Sequence, residues 1–257
     1  MKLIEVKGNI NFDFNEGDYL AILGEKKDKL LFKILGFIKT QNGSIKIYNY
    51  NFGYVFDELP ILENLKVKEF IELILSNYDK NNFQEIKNIF NIENFENKYI
   101  GEISKEENKK LAILFALIKN PSYLIINEPT LYLDLSFRDF FWQFIRSKFN
   151  SVLFATSYWD EAEKYSNKVV LLFKNNLSIF DETENLIKKL RYKMKVLIEI
   201  KNEIPSINFG NFKIIRNGFV HVYIDSENFE FNGIIKRTGL EDVYISLSEN
   251  YHELLLD

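Results

Sequence analysis

Two segments of the sequence carry residue types suited to phosphate and proton chemistry. An apolar run at residues 19–23 leads into Gly24, a loop with three lysines, and a further apolar stretch. A second apolar run, Tyr123–Asn127, is followed by Glu128. A glycine-rich loop between a strand and a helix binds phosphates through its backbone N–H groups, and a carboxylate nearby can serve as a general base. The two segments are therefore the places to examine for such chemistry.

The loop after Gly24 is, however, poorly suited to phosphate. It lacks the further glycines that let successive N–H groups curl around an anion. Glu25 and Asp28 bring carboxylates to where phosphate oxygens would lie, and two like charges in contact repel by about 4 kcal/mol at an effective dielectric of about 20. The alternative is that the lysines of this loop form the solvated start of a helix; they are Lys26, Lys27 and Lys29.

The bulk composition excludes several classes of protein. The 257 residues contain no cysteine, which excludes disulfides and thiolate metal sites and is typical of a reducing compartment. The net charge is −4 with both signs interspersed, so no basic surface for nucleic acid is expected. No apolar run reaches the length of a signal peptide or a membrane span. We therefore expect neither nucleic-acid binding nor direct membrane insertion.

The periodicity of the chain predicts the elements that would position these residues. Strands are predicted over residues 3–6, 10–14, 19–23 and 44–48, and a helix over residues 30–37. A helical insert follows at residues 64–118. Strands at 123–127, 151–156 and 168–173 then alternate with helices at 136–149, 159–165 and 181–190, which implies a parallel sheet covered on both faces. After residue 191 the pattern changes to alternating strands, at 195–200, 212–216 and 219–224, with a last helix at 240–247.

One segment carries a specific resemblance to a known family. Residues 120–145, NPSYLIINEPTLYLDLSFRDFFWQFI, resemble the Walker B region of ABC ATPases, in which an apolar strand ends in acidic residues followed by Pro-Thr and Leu-Asp. Other segments follow in the family's order: 36–45, 63–67, 111–121, 156–162 and 239–244. The last of these resembles the C-terminal end of subunits that serve ABC-2 type exporters.

The resemblance implies a fold and a division into domains. The fold is α/β, a P-loop NTPase-type ABC nucleotide-binding domain with a mostly parallel sheet, helices on both faces, an antiparallel β subdomain and a helical subdomain. A small C-terminal α+β appendage follows. We predict the ABC ATPase-like domain at residues 1–190, its helical subdomain at about 64–118, and the appendage at 191–257.

Most of the family's nucleotide-binding positions are altered in this chain. The resemblance places Gly24, Lys27 and Asp28 at the glycine, lysine and hydroxyl of the phosphate loop, with three loop residues missing. Asn127 stands at the Mg²⁺-binding aspartate, and Asp57 at the glutamine that reports on the metal. An amide gives a hard cation an oxygen but no charge, so metal affinity should fall steeply.

The catalytic positions are altered in the same way. Glu128 remains at the general base, but Ser157 replaces the switch histidine, so both are interpreted as vestigial. The family's Ser-Gly-Gly-Gln signature has become Ser104, Lys105, Glu106 and Glu107. The aromatic platform for adenine is deleted, although Phe12 or Phe14 could substitute if they are not core residues.

The resemblance also implies contacts with other subunits. Asp134 lies in the loop that crosses the family's dimer interface, and an ordinary helix N-cap is the alternative for it. The groove that receives the membrane subunit would be formed near Phe56, Asp57, Glu63 and Asn64.

Three functions follow as hypotheses. The leading one is a pseudo-ATPase subunit of a membrane exporter, which docks on a transmembrane subunit and forms a homodimer or a heterodimer with an active ATPase subunit. It would lie in the cytoplasm on the inner face of the membrane, without metal or cofactor. The second is an atypical but working ATPase that uses ATP and Mg²⁺. The third is a soluble ABC-shaped scaffold or regulator.

Overall fold

The computed structural model describes residues 1–59, 64–75, 83–174, 177–201, 204–205, 207, 209–225 and 233–256. A small antiparallel sheet opens the chain, with the strand order β2-β1-β4. Its strands are β1 (Lys2–Gly8), β2 (Phe12–Asn15) and β4 (Gly43–Ile47). Phe12 and Phe14 of β2 are buried, at 4% and 0% exposure, so they are core residues and offer no platform for a base.

The central sheet has the order β5-β6-β7-β3-β8-β9, and all of its strands are parallel except β9. The predicted strands at its centre are confirmed, whereas β5 and β9, which form its two edges, were not predicted. Residues 181–182, predicted as helix, belong to β9. The strands are β3 (Tyr19–Gly24), β5 (Phe52–Val55), β6 (Tyr123–Asn127), β7 (Val152–Ala155), β8 (Lys168–Leu172) and β9 (Ser178–Glu182).

Alternate residues of the central strands enter two different hydrophobic cores. Along β3, Ala21 and Leu23 face one core, and Leu20 and Ile22 face the other. This alternation follows from the two-residue repeat of a strand, and it needs apolar cover on both faces. The helix α1 (Lys27–Ile34) and the small antiparallel sheet cover one face.

The second face is covered by helices from the middle of the chain. The helical segment contributes α2 (Val67–Leu75), α3 (Phe83–Ile89) and α4 (Lys105–Leu117), and the following stretch contributes α5 (Leu135–Lys148), α6 (Trp159–Tyr165) and α7 (Thr183–Lys188). Trp142 of α5 is fully enclosed in this core. None of the helices in the described ranges is long and apolar enough to cross a bilayer.

The C-terminal region forms a separate antiparallel sheet with the order β11-β12-β10-β13. Its helix α8 packs against the core that contains Ala21 and Leu23, and its residues Leu240 and Val243 are buried there. Tyr244 of α8 lies between Phe173, 4.9 Å away in a stacked arrangement, and Trp159 at 5.1 Å. The elements are β10 (Met194–Glu199), β11 (Phe212–Arg216), β12 (Phe219–Ile224), β13 (Ile234–Arg237) and α8 (Leu240–Ser248).

Candidate functional site

The candidate site lies where several parallel strands of the central sheet end. Strand β3 ends at Gly24, β6 at Asn127 and β7 at Ala155, and these strands are neighbours in the sheet. Carboxyl ends of neighbouring parallel strands meet at one edge, which is where open α/β sheets place their ligand sites. Gly24 is required here, because its φ is 94° and a Cβ would meet the carbonyl oxygen of Leu172 at 2.2 Å.

Three of the predicted site residues are bound to one another. The Nζ of Lys27 lies 2.7 Å from Oε1 of Glu128, and both side chains are nearly enclosed, at 11% and 9% exposure. The hydroxyl of Ser157 donates to the same Oε1 at 2.7 Å, and the backbone N–H of Ser157 donates to Oε2 at 3.1 Å. We name this group the Lys27–Glu128–Ser157 latch. The structure therefore corrects the alternative in which Lys27 is solvated, whereas Lys26 and Lys29 are exposed.

Electrostatics favour the charged form of the lysine in the latch. Burial lowers the pKa of Lys27, but the hydrogen bond and the charge of Glu128, with a smaller contribution from Asp28, outweigh it and raise the pKa overall. The carboxylate of Asp28 lies 3.3 Å from Nζ of Lys27. Glu25 lies elsewhere, 4.0 Å from Lys174, so of the two predicted carboxylates only that of Asp28 faces Lys27.

A fully buried lysine that sequence reasoning missed lies beside the latch. Lys109 of α4 donates from Nζ to the carbonyl oxygens of Phe56 and Asn127, both at 2.8 Å. Burial lowers its pKa to about 7, against the nearby charges of Asp57 and Glu128. Its place in the polar run Glu-Glu-Asn-Lys-Lys is typical of a solvated helix face, whereas its burial depends on two strand ends that only the fold brings close to it.

The predicted metal-binding positions do not assemble a metal site. The side-chain Oδ1 of Asn127 is buried without a hydrogen-bond partner in the described part of the chain, and so is the hydroxyl of Tyr54. Burial, reinforced by the charges of Asp57 and Asp28, raises the pKa of Tyr54. Within the described ranges, no group of three or more acidic, histidine or cysteine side chains could hold a metal ion. Asn127 offers a cation a neutral amide oxygen in place of a carboxylate, and the expected loss of Mg²⁺ binding stays a prediction.

The altered signature has become a helix cap. The hydroxyl of Ser104 accepts from the N–H of Glu107 at 3.1 Å, and Glu107 accepts from the N–H of Ser104 at 2.8 Å. Glu106 pairs with Lys110, and Lys105 pairs with Glu58 at 3.2 Å. The positive end of α4, which would otherwise attract an anion, is therefore neutralised within the chain.

The interface residues have distinct places. Asp134 caps α5, because its Oδ1 accepts from the N–H of Phe137 at 2.7 Å. Phe56 and Asp57 are half-buried just after β5, and Asn64 is exposed. Glu63 lies outside the described residues. Their roles in dimerisation and docking stay predictions.

A second buried acid behind the site was also missed. Glu161 of α6 accepts hydrogen bonds from Thr156, Thr130 and the indole N–H of Trp142. Burial raises its pKa despite these donors. It joins the segment after Glu128 to the segment after β7 and so fixes Ser157 near the latch. Acidic residues are common in the first turn of a helix, so the position of Glu161 in the sequence did not indicate that it would be buried.

Fold and site together define an α/β protein of the nucleotide-binding type whose key lysine is already paired within the chain. Residues 8–131 match the family described as ABC transporter. The aliphatic sulfonates import ATP-binding protein SsuB of a Bacillus cereus strain is 28% identical over 250 residues, which cover 91% of this chain and 92% of that protein. The zinc import ATP-binding protein ZnuC of Rickettsia conorii is 26% identical over 159 residues, covering 58% and 68%.

Solved structures show the same fold. An ATP-binding subunit of an ABC transporter matches with a TM-score of 0.64 and 20% identity, over 72% of this chain and 92% of that one. A dimeric structure of a bacterial ABC transporter cassette matches with a TM-score of 0.61 and 19% identity, over 70% and 98%. Nearly half of the chain matches the ABC transporter family, and the chain carries the fold of that family's ATP-binding domain, which confirms the predicted resemblance and fold class.

Proposed function

We propose that this ABC transporter ATP-binding-type subunit neither binds nor hydrolyses ATP. It docks on a transmembrane subunit at the inner face of the membrane, and it pairs with a second copy or with an active ATPase subunit. The observation that carries the proposal is the Lys27–Glu128 ion pair, 2.7 Å long and almost closed to solvent. The lysine that would neutralise a phosphate is already neutralised by the carboxylate that would act as base.

Binding of ATP would require this pair to separate. The freed carboxylate of Glu128 would then lie beside the incoming phosphates with Ser157 as its remaining hydrogen-bond donor. Breaking a buried ion pair by removing one partner costs about 3–5 kcal/mol, which is comparable to the binding free energy of a millimolar ligand. Asp28, next to Lys27, would add repulsion of the same sign.

The surface that would meet a nucleotide held by an opposite subunit also has its polar groups paired within the chain. Glu107 and Ser104 satisfy one another at the start of α4, and Glu106 adds a second carboxylate in its first turn. Carboxylates at a helix N-terminus compete with phosphate for the same N–H groups and the same positive potential. This supports a subunit that completes neither its own site nor that of its partner.

The direction of transport is the point on which two lines of support diverge. The C-terminal segment 239–244 resembles exporter subunits, whereas SsuB and ZnuC are named for import. The proposal of an exporter rests on the first. Uptake and efflux assays in membranes that contain the complete complex distinguish the two directions.

Calorimetric titration of Mg-ATP into the purified chain tests the loss of ATP binding. At concentrations that detect a dissociation constant of about 1 mM, we expect no saturable heat and no rise in melting temperature. Lys27→Ala, although less stable, should likewise give no saturable heat and no ATP-dependent rise in melting temperature, and so should the matched control Lys29→Ala, which removes an exposed neighbour. Saturable binding that Lys27→Ala abolishes and Lys29→Ala retains would establish the atypical ATPase instead.

Docking is tested separately in native membranes. After gentle solubilisation, we expect the chain to purify with a polytopic membrane protein in a fixed stoichiometry. Phe56→Ala should weaken this association, because the side chain is half-buried at the predicted docking surface. A chain that stays wholly in the soluble fraction would support the scaffold hypothesis.

A further inference from the structure

We infer that a cleft beside the C-terminal sheet is a binding site for a small molecule with an aromatic body and one anionic group. The cleft has a volume of about 590 Å³ and lies between α8, β11 and the end of β8. This volume falls within the range of ligand pockets, which form preferentially where two structural units meet. The site does not involve Lys27 or Glu128, so the inference holds whether or not the chain binds ATP.

The wall of the cleft is apolar and aromatic. Phe173 and Tyr244 stack with an interplanar angle of 8°, and Leu247 and Ile179 extend the same surface. Trp159 holds Tyr244 from the other side at 5.1 Å. Because these rings pack against one another, the surface is fixed before a ligand arrives, and an aromatic body would bind without ordering flexible side chains.

The polar groups of the cleft include an excess of hydrogen-bond donors. The hydroxyl of Tyr244 forms no hydrogen bond with the other residues that the structure describes, and burial, reinforced by the charge of Glu25, raises its pKa. Arg216 uses one N–H on Glu249, at 2.9 Å, and a guanidinium has five. Charge-assisted bonds from arginine to a carboxylate or sulfonate are among the stronger ones in proteins.

The two carboxylates at the rim are already paired. Glu249 binds Arg216, and Glu25 lies 4.0 Å from Lys174. A cationic ligand would have to displace these lysine and arginine side chains, whereas an anionic ligand can use the remaining donors of Arg216 and the Tyr244 hydroxyl. This difference favours an anionic ligand over a cationic one.

The test uses three probes with the same aromatic body: naphthoate, naphthylmethanol and naphthylmethylammonium. Trp159 reports on binding because it contacts Tyr244, and calorimetry gives the affinity. We expect naphthoate to bind saturably with a dissociation constant of about 1 mM or tighter, and the ammonium probe to bind at least about tenfold more weakly.

Two mild variants locate the site. Arg216→Gln breaks only a partly exposed ion pair and should weaken naphthoate binding about tenfold or more. Tyr244→Phe keeps the stack and removes the hydroxyl, so it should weaken binding several-fold. Arg191→Gln, an arginine outside the cleft, is the matched control and should change nothing. The inference is overturned if no probe binds, if the ammonium probe binds as well as naphthoate, or if neither cleft variant differs from the control.

Discussion

At the residue scale, the enclosed charges of Lys27 and Glu128 in the candidate site neutralise each other. Lys27 and Glu128 are 101 positions apart in sequence and 2.7 Å apart in the structure. An ion pair of this kind contributes little compared with an apolar replacement, but either partner left alone is costly. The energetic coupling between the two residues is therefore a direct measure of the latch.

The first prediction is a double-mutant cycle on this pair. Lys27→Met should lower the free energy of unfolding by about 3–5 kcal/mol, because it leaves the carboxylate of Glu128 enclosed. Adding Glu128→Leu should recover most of that loss, since no unpaired charge then remains. Urea unfolding of the four chains gives the coupling energy. Strictly additive losses would show that the two side chains do not interact in solution.

The second prediction concerns the pH dependence caused by Lys109. Its pKa falls from the ordinary 10.5 to about 7 in the folded chain, so the unfolded chain binds more protons between these values. The free energy of unfolding should therefore rise with pH over this interval, by about 1.4 kcal/mol per pH unit at most, and fall as the pH decreases towards 7. A neutral amine still has two N–H donors for the carbonyls of Phe56 and Asn127.

Lys109→Met removes the titrating group and should flatten this rise. Lys105→Met, at an exposed position of the same helix, should leave it unchanged. Chemical unfolding of the three chains across the interval measures the slope. A slope that Lys109→Met leaves as it was would contradict the assignment to Lys109.

The pairing and burial of individual side chains were harder to predict from the sequence than the elements that carry them. The identities of Gly24, Asn127 and Glu128 were visible because they follow apolar strands. The pairing of Lys27 with Glu128 was not visible, because it depends on the order of strands in the sheet. Lys109 and Glu161 were missed for a related reason: a charged residue within a polar run shows no sign of burial until the fold encloses it.

At the element scale, α4 illustrates how an altered motif can strengthen a helix. Lysine and glutamate favour helix formation, whereas each glycine in a helix costs about 1 kcal/mol relative to alanine. Ser104 and Glu107 form a reciprocal capping box at its start. The residues that disrupt the nucleotide signature therefore also stabilise the helix that carries them.

The third prediction follows from this cap. Ser104→Ala should lower the free energy of unfolding by about 1 kcal/mol, because the N–H of Glu107 loses its acceptor. Ser136→Ala, which removes an exposed hydroxyl near the start of α5, should have a smaller effect. Thermal or urea unfolding measures both. Equal effects of the two substitutions would argue against a functioning capping box.

The elements that the sequence failed to predict share one physical property. Strands β5, β9 and β13 each lie at the edge of a sheet and have four or five residues. A strand at an edge pairs on one side only, and its side chains need not be apolar on both faces, so the local pattern is weak. By contrast, β6, buried on both faces, was predicted with its observed bounds.

At the scale of the whole molecule, apolar, aromatic and polar contacts join the C-terminal region to the ATP-binding-type domain, and the start of α8 contributes to all three kinds. The carboxylate Oε1 of Glu163 on α6 accepts from the N–H of Leu240 at the start of α8. Gly239 makes this approach possible, since a Cβ there would meet the same oxygen at 2.0 Å. Because α6 follows Ser157, this contact connects the C-terminal sheet with the segment that holds the latch.

The last prediction tests that connection. Glu163→Ala removes the acceptor and leaves a gap against Gly239, so α8 should open more often, and hydrogen exchange at its first amides should accelerate about tenfold or more. Glu163→Gln keeps an acceptor oxygen and should stay close to the unchanged chain. Burial raises the pKa of Glu163, so neutralising it by the amide has little cost. If exchange in β3 and β6 accelerates as much as in α8, the substitution destabilises the whole domain, and the two regions unfold as one unit.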